Sequence, residues 1–254
     1  MIQVRNLSKL FGETPAVCEV SFHVGAGELL VLVGSSGSGK TTTLKMINRL
    51  VEPTSGSVSI EGQDAQSVPG HALRRRIGYV FQKVGLFPHM TVEQNVAVPL
   101  SLRDWKPERI RARVRQMLQL VELDPALCSR YPAELSGGQQ QRVGVARALS
   151  PEPKLMLLDE PFGALDPLTR DRLQQSFLEI RKRLGLTAIF VTHDMSEALV
   201  LADRIAVMNH GRLVQIGTPG ELLTSPADDY VDRLLDTPRR QARAFDELAA
   251  GAKR

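Results

Sequence analysis

"GELLVLVGSSGSGKTTTLKMINRL", residues 27 to 50, decides the fold. It opens with an apolar run that lacks polar alternation, the pattern of a strand buried on both faces of a parallel sheet. Gly34 to Thr41, "GSSGSGKT", then fits G-x-x-x-x-G-K-[ST], and "TTTLKMINRL" reads as a helix. Gly34, Gly37 and Gly39 open backbone conformations closed to other residues, so the loop N–H groups can face a phosphate chain. The candidate phosphate-binding residues are therefore Gly34, Ser35, Ser36, Gly37, Ser38, Gly39, Lys40, Thr41 and Thr42. The helix N-terminus adds a positive dipole end. Lys40 is expected to reach the β- and γ-phosphates, and Thr41 to offer its hydroxyl to Mg²⁺.

Two more runs of the same kind end in chemistry: "KLMLLDE" (154 to 160) and "TAIFVTH" (187 to 193). Ligands of open α/β sheets bind beyond the carboxyl ends of the strands, so these endings mark a site. Asp159 and Glu160 are adjacent carboxylates, most easily tolerated beside a cation. Asp159 then suits Mg²⁺, directly or through water, and Glu160 suits the general base that polarises an attacking water. His193 is placed to hydrogen-bond a γ-phosphate. The competing readings are a solvated acidic turn and a structural histidine. "LSGGQQQR" (135 to 142) reads as a second anion-binding helix start, with Ser136 as N-cap and Gly137 and Gly138 exposing N–H groups. One chain thus carries two phosphate-facing helix ends and one phosphate loop. Either there are two ligands, or the second end serves a nucleotide held by another molecule.

The 254 residues, 43% apolar and 24% charged, fit an ordinary globular protein with a sizeable core and argue against disorder. Lys plus Arg exceeds Asp plus Glu by only 32 to 28, without a basic stripe, so no nucleic-acid partner is expected. The opening "MIQVRNLSKLF" has no apolar leader, and no run approaches the ~20 residues that cross a bilayer. Cys18 and Cys128 are too few for a disulfide framework and lack metal-ligand spacing, which fits a reducing cytosol.

The ordered set "GSSGSGKT", "LSGGQQQR", "LMLLDEP", "ALD" and His193 resembles the nucleotide-binding subunit of ATP-binding cassette transporters over nearly the whole chain. The resemblance implies an ATPase using Mg²⁺. Two such subunits, identical or paired, pack head to tail, each signature motif (Leu135, Ser136, Gly137, Gly138, Gln139) closing on the ATP of the opposite phosphate loop. It further implies that Gln82 contacts the metal and attacking water and that Phe11 stacks on adenine, where the family often has tyrosine. Asp166 would link the two active sites. The partners implied are integral membrane permease subunits and, indirectly, a solute-binding protein, with this chain peripheral on the cytoplasmic side of the inner membrane. Residues 73 to 97, "GLFPHMT" (85 to 91) above all, are similar to the importer branch for quaternary-ammonium solutes such as glycine betaine, choline and carnitine. An importer of another small solute, an amino acid or sulfonate, is the alternative. A soluble cassette ATPase usually fuses two cassettes or carries a long coiled coil, and a GTPase or small kinase would leave "LSGGQ" without purpose.

The expected fold class is α/β: a P-loop NTPase core with a mostly parallel sheet, flanking helices and an antiparallel β part, plus an inserted α-helical subdomain. The cassette is expected over 1–235, with the insert at about 83–150 gripping a helix of the membrane subunit. Within it, residues 106 to 123 place Ile110, Val114, Met117, Leu118 and Val121 on one helix face, the arginines reading as a solvated face. Residues 204 to 216 read as two strands around Asn-His-Gly, and "TPGEL" as a capped helix start at Thr218. Residues 236–254 are expected to form a short, frayed amphipathic tail, its Arg239, Arg240 and Arg243 solvated or near anionic lipid. Regulatory cystathionine-β-synthase-type modules, frequent in that importer branch, do not follow in this sequence, so gating through them is not expected.

Overall fold

The computed structural model describes residues 1–163 and 165–251. Along the chain, β1 (Ile2–Phe11), β2 (Thr14–Val24) and β3 (Leu29–Val33) lead into α1 (Lys40–Ile47). Then come β4 (Ser55–Ile60), β5 (Gln63–Asp64), α2 (Gly70–Arg76) and β6 (Ile77–Val80). A helical stretch follows: α3 (Val92–Ser101), α4 (Pro107–Leu120) and α5 (Gly137–Leu149). The core resumes with β7 (Leu155–Asp159), α6 (Pro167–Leu184), β8 (Thr187–Thr192) and α7 (Met195–Leu201). It ends with β9 (Arg204–Asn209), β10 (Arg212–Gly217), α8 (Pro219–Thr224) and α9 (Asp229–Gly251).

Two sheets result. One has the order β10-β9-β3-β8-β7-β6, parallel except where the β9–β10 hairpin closes its edge. The other, β2-β1-β4-β5, is antiparallel. Both faces of β3 are covered: Leu29, Val31 and Val33 enter a core shared with α3 to α6, while Leu30 and Leu32 pack with α1 and the antiparallel sheet. β7 and β8 divide their side chains the same way. That double burial, worth about 2 kcal/mol for each leucine, is why the three strands read as unbroken apolar runs. Parallel pairing aligns their carboxyl ends on one edge, beyond which the charged residues gather.

The helices begin and end where their capping groups dictate. Asp166 caps α6 by accepting from Thr169 N, Pro167 occupies the first turn, and Gly185 ends it in a left-handed conformation. Thr218 and Glu221 form the expected capping box on α8. α1 is shorter than the sequence reading: Arg49 turns left-handed at φ 55°, and Leu50 N and Val51 N close back on Lys45 O. The arginines of α4 are not all solvated either. Arg113 donates to Ser150 O (3.0 Å) and Leu149 O (3.2 Å), satisfying carbonyls at the end of α5, and Arg109 stacks on Trp105 at 3.6 Å. α9 starts at Asp229, ahead of the tail boundary expected at Asp236. Its Val231 and Leu235 are fully buried, so this helix is docked rather than frayed at its start. Arg239 folds back onto Asp232 and Leu223 O. Residues 252–254 of the expected tail lie outside the described residues.

Candidate functional site

The phosphate loop is held by contacts that only glycine permits. A Cβ on Gly34 would stand 2.1 Å from Met208 O at the end of β9, and one on Gly39, at φ 99°, 2.6 Å from Ala16 O on β2. Ahead of this cradle Lys40 is buried, its Nζ donating to Gly34 O and Ser35 O, both at 2.8 Å, and to Ser38 Oγ at 3.3 Å. Burial holds its ammonium below the usual lysine value, against the opposing pull of Glu160 and Asp159.

The strand ends meet the loop. Thr41 Oγ1 donates to Asp159 Oδ1 at 2.7 Å. Asp159 is buried, which overturns a solvated acidic turn, and burial pushes its carboxyl up although Thr41's hydrogen bond opposes this. Glu160 leaves β7 in a left-handed conformation, φ 43°, while its N–H donates to Val191 O on β8. This turn points its carboxylate differently from that of Asp159. One oxygen, Oε2, accepts from Gln82 Nε2 at 3.1 Å and faces His193 Nδ1 at 3.2 Å. Gln82 follows β6 and His193 follows β8, so three strand ends converge on one carboxylate. A cavity of about 370 Å³ opens above, lined by Ser36 to Thr42 with Ala16, Gln82 and Glu160. A hydroxyl, an amide oxygen and a buried carboxylate beside a second one form the hard oxygen set that a divalent cation such as Mg²⁺ takes.

A second group lies elsewhere on the chain. Ser136 Oγ accepts from Gln139 N at 3.3 Å while Gln139 Oε1 accepts from Ser136 N at 2.9 Å, a capping box that sets the start of α5. Gly138 packs so closely on α6 that a Cβ would come within 2.7 Å of the Thr169 methyl, and Gly137 faces Leu165. Asp166 holds Thr169 N at 3.1 Å, so the signature residues Leu135 to Gln139 and Asp166 form one unit. None of them lines the phosphate-loop cavity. Phe11 does not line it either. Its ring is exposed at the β1–β2 turn, with Lys9 Nζ 5.2 Å from its centroid, which rules out a core role.

Ala16, Met208 and Tyr230 were not legible from sequence. Ala16 and Met208 act through backbone carbonyls, which any side chain would supply. Tyr230 Oη accepts from Ser35 N at 2.9 Å, a partner 195 residues away that no local pattern reveals. At its far end α5 carries Arg147, which donates to Gly85 O (2.8 Å) and Val84 O (2.7 Å) in the segment after Gln82.

A doubly covered parallel sheet, with a glycine cradle, a Thr–Asp pair and a Glu–Gln–His cluster at its strand ends, defines the class of P-loop nucleoside-triphosphatases. Residues 17–163 match the family described as ABC transporter. The chain is 49% identical to the choline transport ATP-binding protein OpuBA of Bacillus subtilis (strain 168), over 94% of this chain and 63% of that protein. It is 51% identical to the glycine betaine uptake system ATP-binding protein YehX of Escherichia coli (strain K12), over 91% of this chain and 75% of the relative. Among solved structures it resembles the ATP-binding cassette MJ0796, a dimer in a post-hydrolysis state bound to ADP and Pi. The TM-score is 0.78 and the identity 33%, over 86% of this chain and 99% of that one. The chain belongs to the ABC transporter family. It spans 63% of the length of the Bacillus choline relative.

Proposed function

We propose that this chain is the ATP-hydrolysing motor subunit of a bacterial importer for quaternary-ammonium compatible solutes such as glycine betaine, choline and carnitine. The observation that carries the motor reading is the single Glu160 oxygen met by both Gln82 and His193 at the mouth of the phosphate-loop cavity. The solute class rests on relatives named for choline and glycine betaine at 49% and 51% identity.

ATP lies with its phosphates in the cradle of Gly34 to Thr42, Lys40 keeping Gly34 O while turning from Ser35 O and Ser38 Oγ to the β- and γ-oxygens, and the Phe11 ring stacking on adenine. Mg²⁺, held by Thr41, Asp159 and Gln82, neutralises charge on the β- and γ-phosphates when bound. Glu160 takes a proton from the attacking water as its oxygen bonds to the γ-phosphorus, the bond to the β–γ bridging oxygen breaks, and ADP leaves. Gln82 and His193 hold the Glu160 carboxylate in place, and His193 turns a donor toward the γ-phosphate. The Ser136–Gly138 unit, remote from its own chain's cavity, completes the site of a second cassette, with Asp166 beside it. ATP thus bridges a head-to-tail dimer that reopens after hydrolysis.

Permease subunits are the membrane partner, and a solute-binding protein delivers the cargo. A cleft of about 450 Å³ between α2, α3 and α5, lined by His71, Tyr79, Pro99, Leu102 and Arg147, supports docking of a permease helix beside the Gln82 loop. Among the described residues no helix is long and apolar enough to cross a membrane. The proposed place is peripheral, on the cytoplasmic face of the inner membrane. The test is uptake of labelled glycine betaine, with choline and carnitine as competitors, in cells lacking the gene. Rescue by wild type and not by Glu160→Gln is expected. Uptake independent of the gene overturns the solute class, and ATP hydrolysis by the purified chain then decides the motor reading separately.

A further inference from the structure

We propose that Tyr230, on the C-terminal helix α9, is a positioning residue for Lys40. This rests on the ATP-site reading above and adds to it a residue far outside the stretch that matches the family. The peptide unit between Gly34 and Ser35 is gripped at both ends. Its carbonyl, Gly34 O, accepts from Lys40 Nζ at 2.8 Å, and its N–H, on Ser35, donates to Tyr230 Oη at 2.9 Å. A trans peptide is planar and points its N–H and C=O in opposite directions, so fixing one fixes the other. Gly34, with no Cβ, leaves its own backbone torsions only weakly restrained, so the two hydrogen bonds supply the constraint.

The clamp is well anchored. The Tyr230 hydroxyl proton is shared between Met208 O and Ser35 Oγ, each 3.3 Å away, so the same oxygen ties the loop to the end of β9, where Met208 O crowds Gly34. Beneath it, Val231 and Leu235 are fully buried, and Val231 N donates to Asp228 Oδ1 at 2.9 Å. Lys40 and Tyr230 therefore hold one peptide plane from its two ends, and Tyr230 steadies the carbonyl that aims the ammonium toward the phosphates.

The experiment is a double-mutant cycle on the full chain, with ATP affinity titrated for wild type, Tyr230→Phe, Lys40→Ala and the double variant. Tyr230→Phe keeps the ring and removes the hydrogen bond. It should weaken ATP about fivefold on the wild-type background and leave affinity within about 1.5-fold on the Lys40→Ala background. An equal loss on both backgrounds, or no loss on the first, overturns the proposal. Should Lys40→Ala bind too weakly to titrate, steady-state kinetics of Tyr230→Phe decide: KM raised about fivefold with kcat within twofold supports it, and KM unmoved overturns it. A wild-type chain that fails to bind ATP at all removes the ATP-site reading and this proposal together, an outcome distinct from the others.

Discussion

Replacing Glu160 by glutamine separates chemistry from binding. The substitution is isosteric, and an amide oxygen at the Oε2 position can still accept from Gln82 Nε2 and His193 Nδ1, now 3.1 and 3.2 Å from the carboxylate. What is lost is the ability to take a proton from water. General-base catalysis contributes about 10²- to 10⁴-fold, so hydrolysis should fall by that factor, about 3 to 5 kcal/mol in the barrier. Binding should persist or tighten, because Gly34 to Thr42 are untouched and one negative charge facing the polyphosphate is gone. The assay is phosphate release, with size-exclusion chromatography in ATP, where the variant should run as a dimer and the wild type return to monomer as ATP is consumed. Hydrolysis within twofold of wild type would refute Glu160 as the base. Loss of ATP binding would make it a binding residue instead.

Other outcomes follow from the same geometry. Burial raises the Asp159 carboxyl, so at pH values between the ordinary aspartate value and the raised one the native state holds a proton that the unfolded chain has released. Stability contributed by this group is present below the ordinary aspartate range and lost as pH rises through the raised value. Asp159→Asn keeps the Thr41 hydrogen bond and removes the buried charge. Its nucleotide-free melting temperature at pH 7 should rise by about 2 to 4 °C, less at pH 4, with hydrolysis lost; a fall at pH 7 in calorimetry refutes the argument. Gly34→Ala puts a methyl 2.1 Å from Met208 O and should cost at least 3 kcal/mol, read as a drop of about 10 °C in thermal unfolding. Ser136→Ala removes an N-cap worth about 1 kcal/mol, a small thermal effect, yet should abolish ATP-induced dimerisation in the Glu160→Gln background. An unchanged dimer there means that Ser136 does not touch the partner's ATP.

The strands that carry the site were legible because double burial leaves no polar alternation to confuse the reading, and their abrupt polar endings mark the binding edge. The antiparallel sheet was expected in kind, but β1 and β2 were not located. Asn6 and Glu19 adopt left-handed backbone, at φ 45° and 51°, and the pairing register shifts around them, which breaks the period of two. Ser36 to Thr42, Gln82 and Glu160 come together around one cavity, with Asp159 joined to it through Thr41 and His193 through Glu160. The burial of Asp159 and the convergence on one Glu160 oxygen needed coordinates, since both depend on strand neighbours distant in sequence. Tyr230 was unreadable for the same reason, its hydroxyl having no local partner.

Helix α5 joins two places that matter for different reasons. One end is the Ser136 cap, and near the other Arg147 grips the carbonyls of Val84 and Gly85. Thirteen residues make a rod of about 20 Å, so a tilt of about 10° at one end displaces the other by roughly 3 Å. On the function proposed above α5 is a rocker arm, with the partner's nucleotide at one tip and the Gln82 segment hooked to the other. On that reading, closure at one ATP would be felt first at the Gln82 segment of the opposite cassette, and two ATP sites acting on crossed arms would move both segments in step.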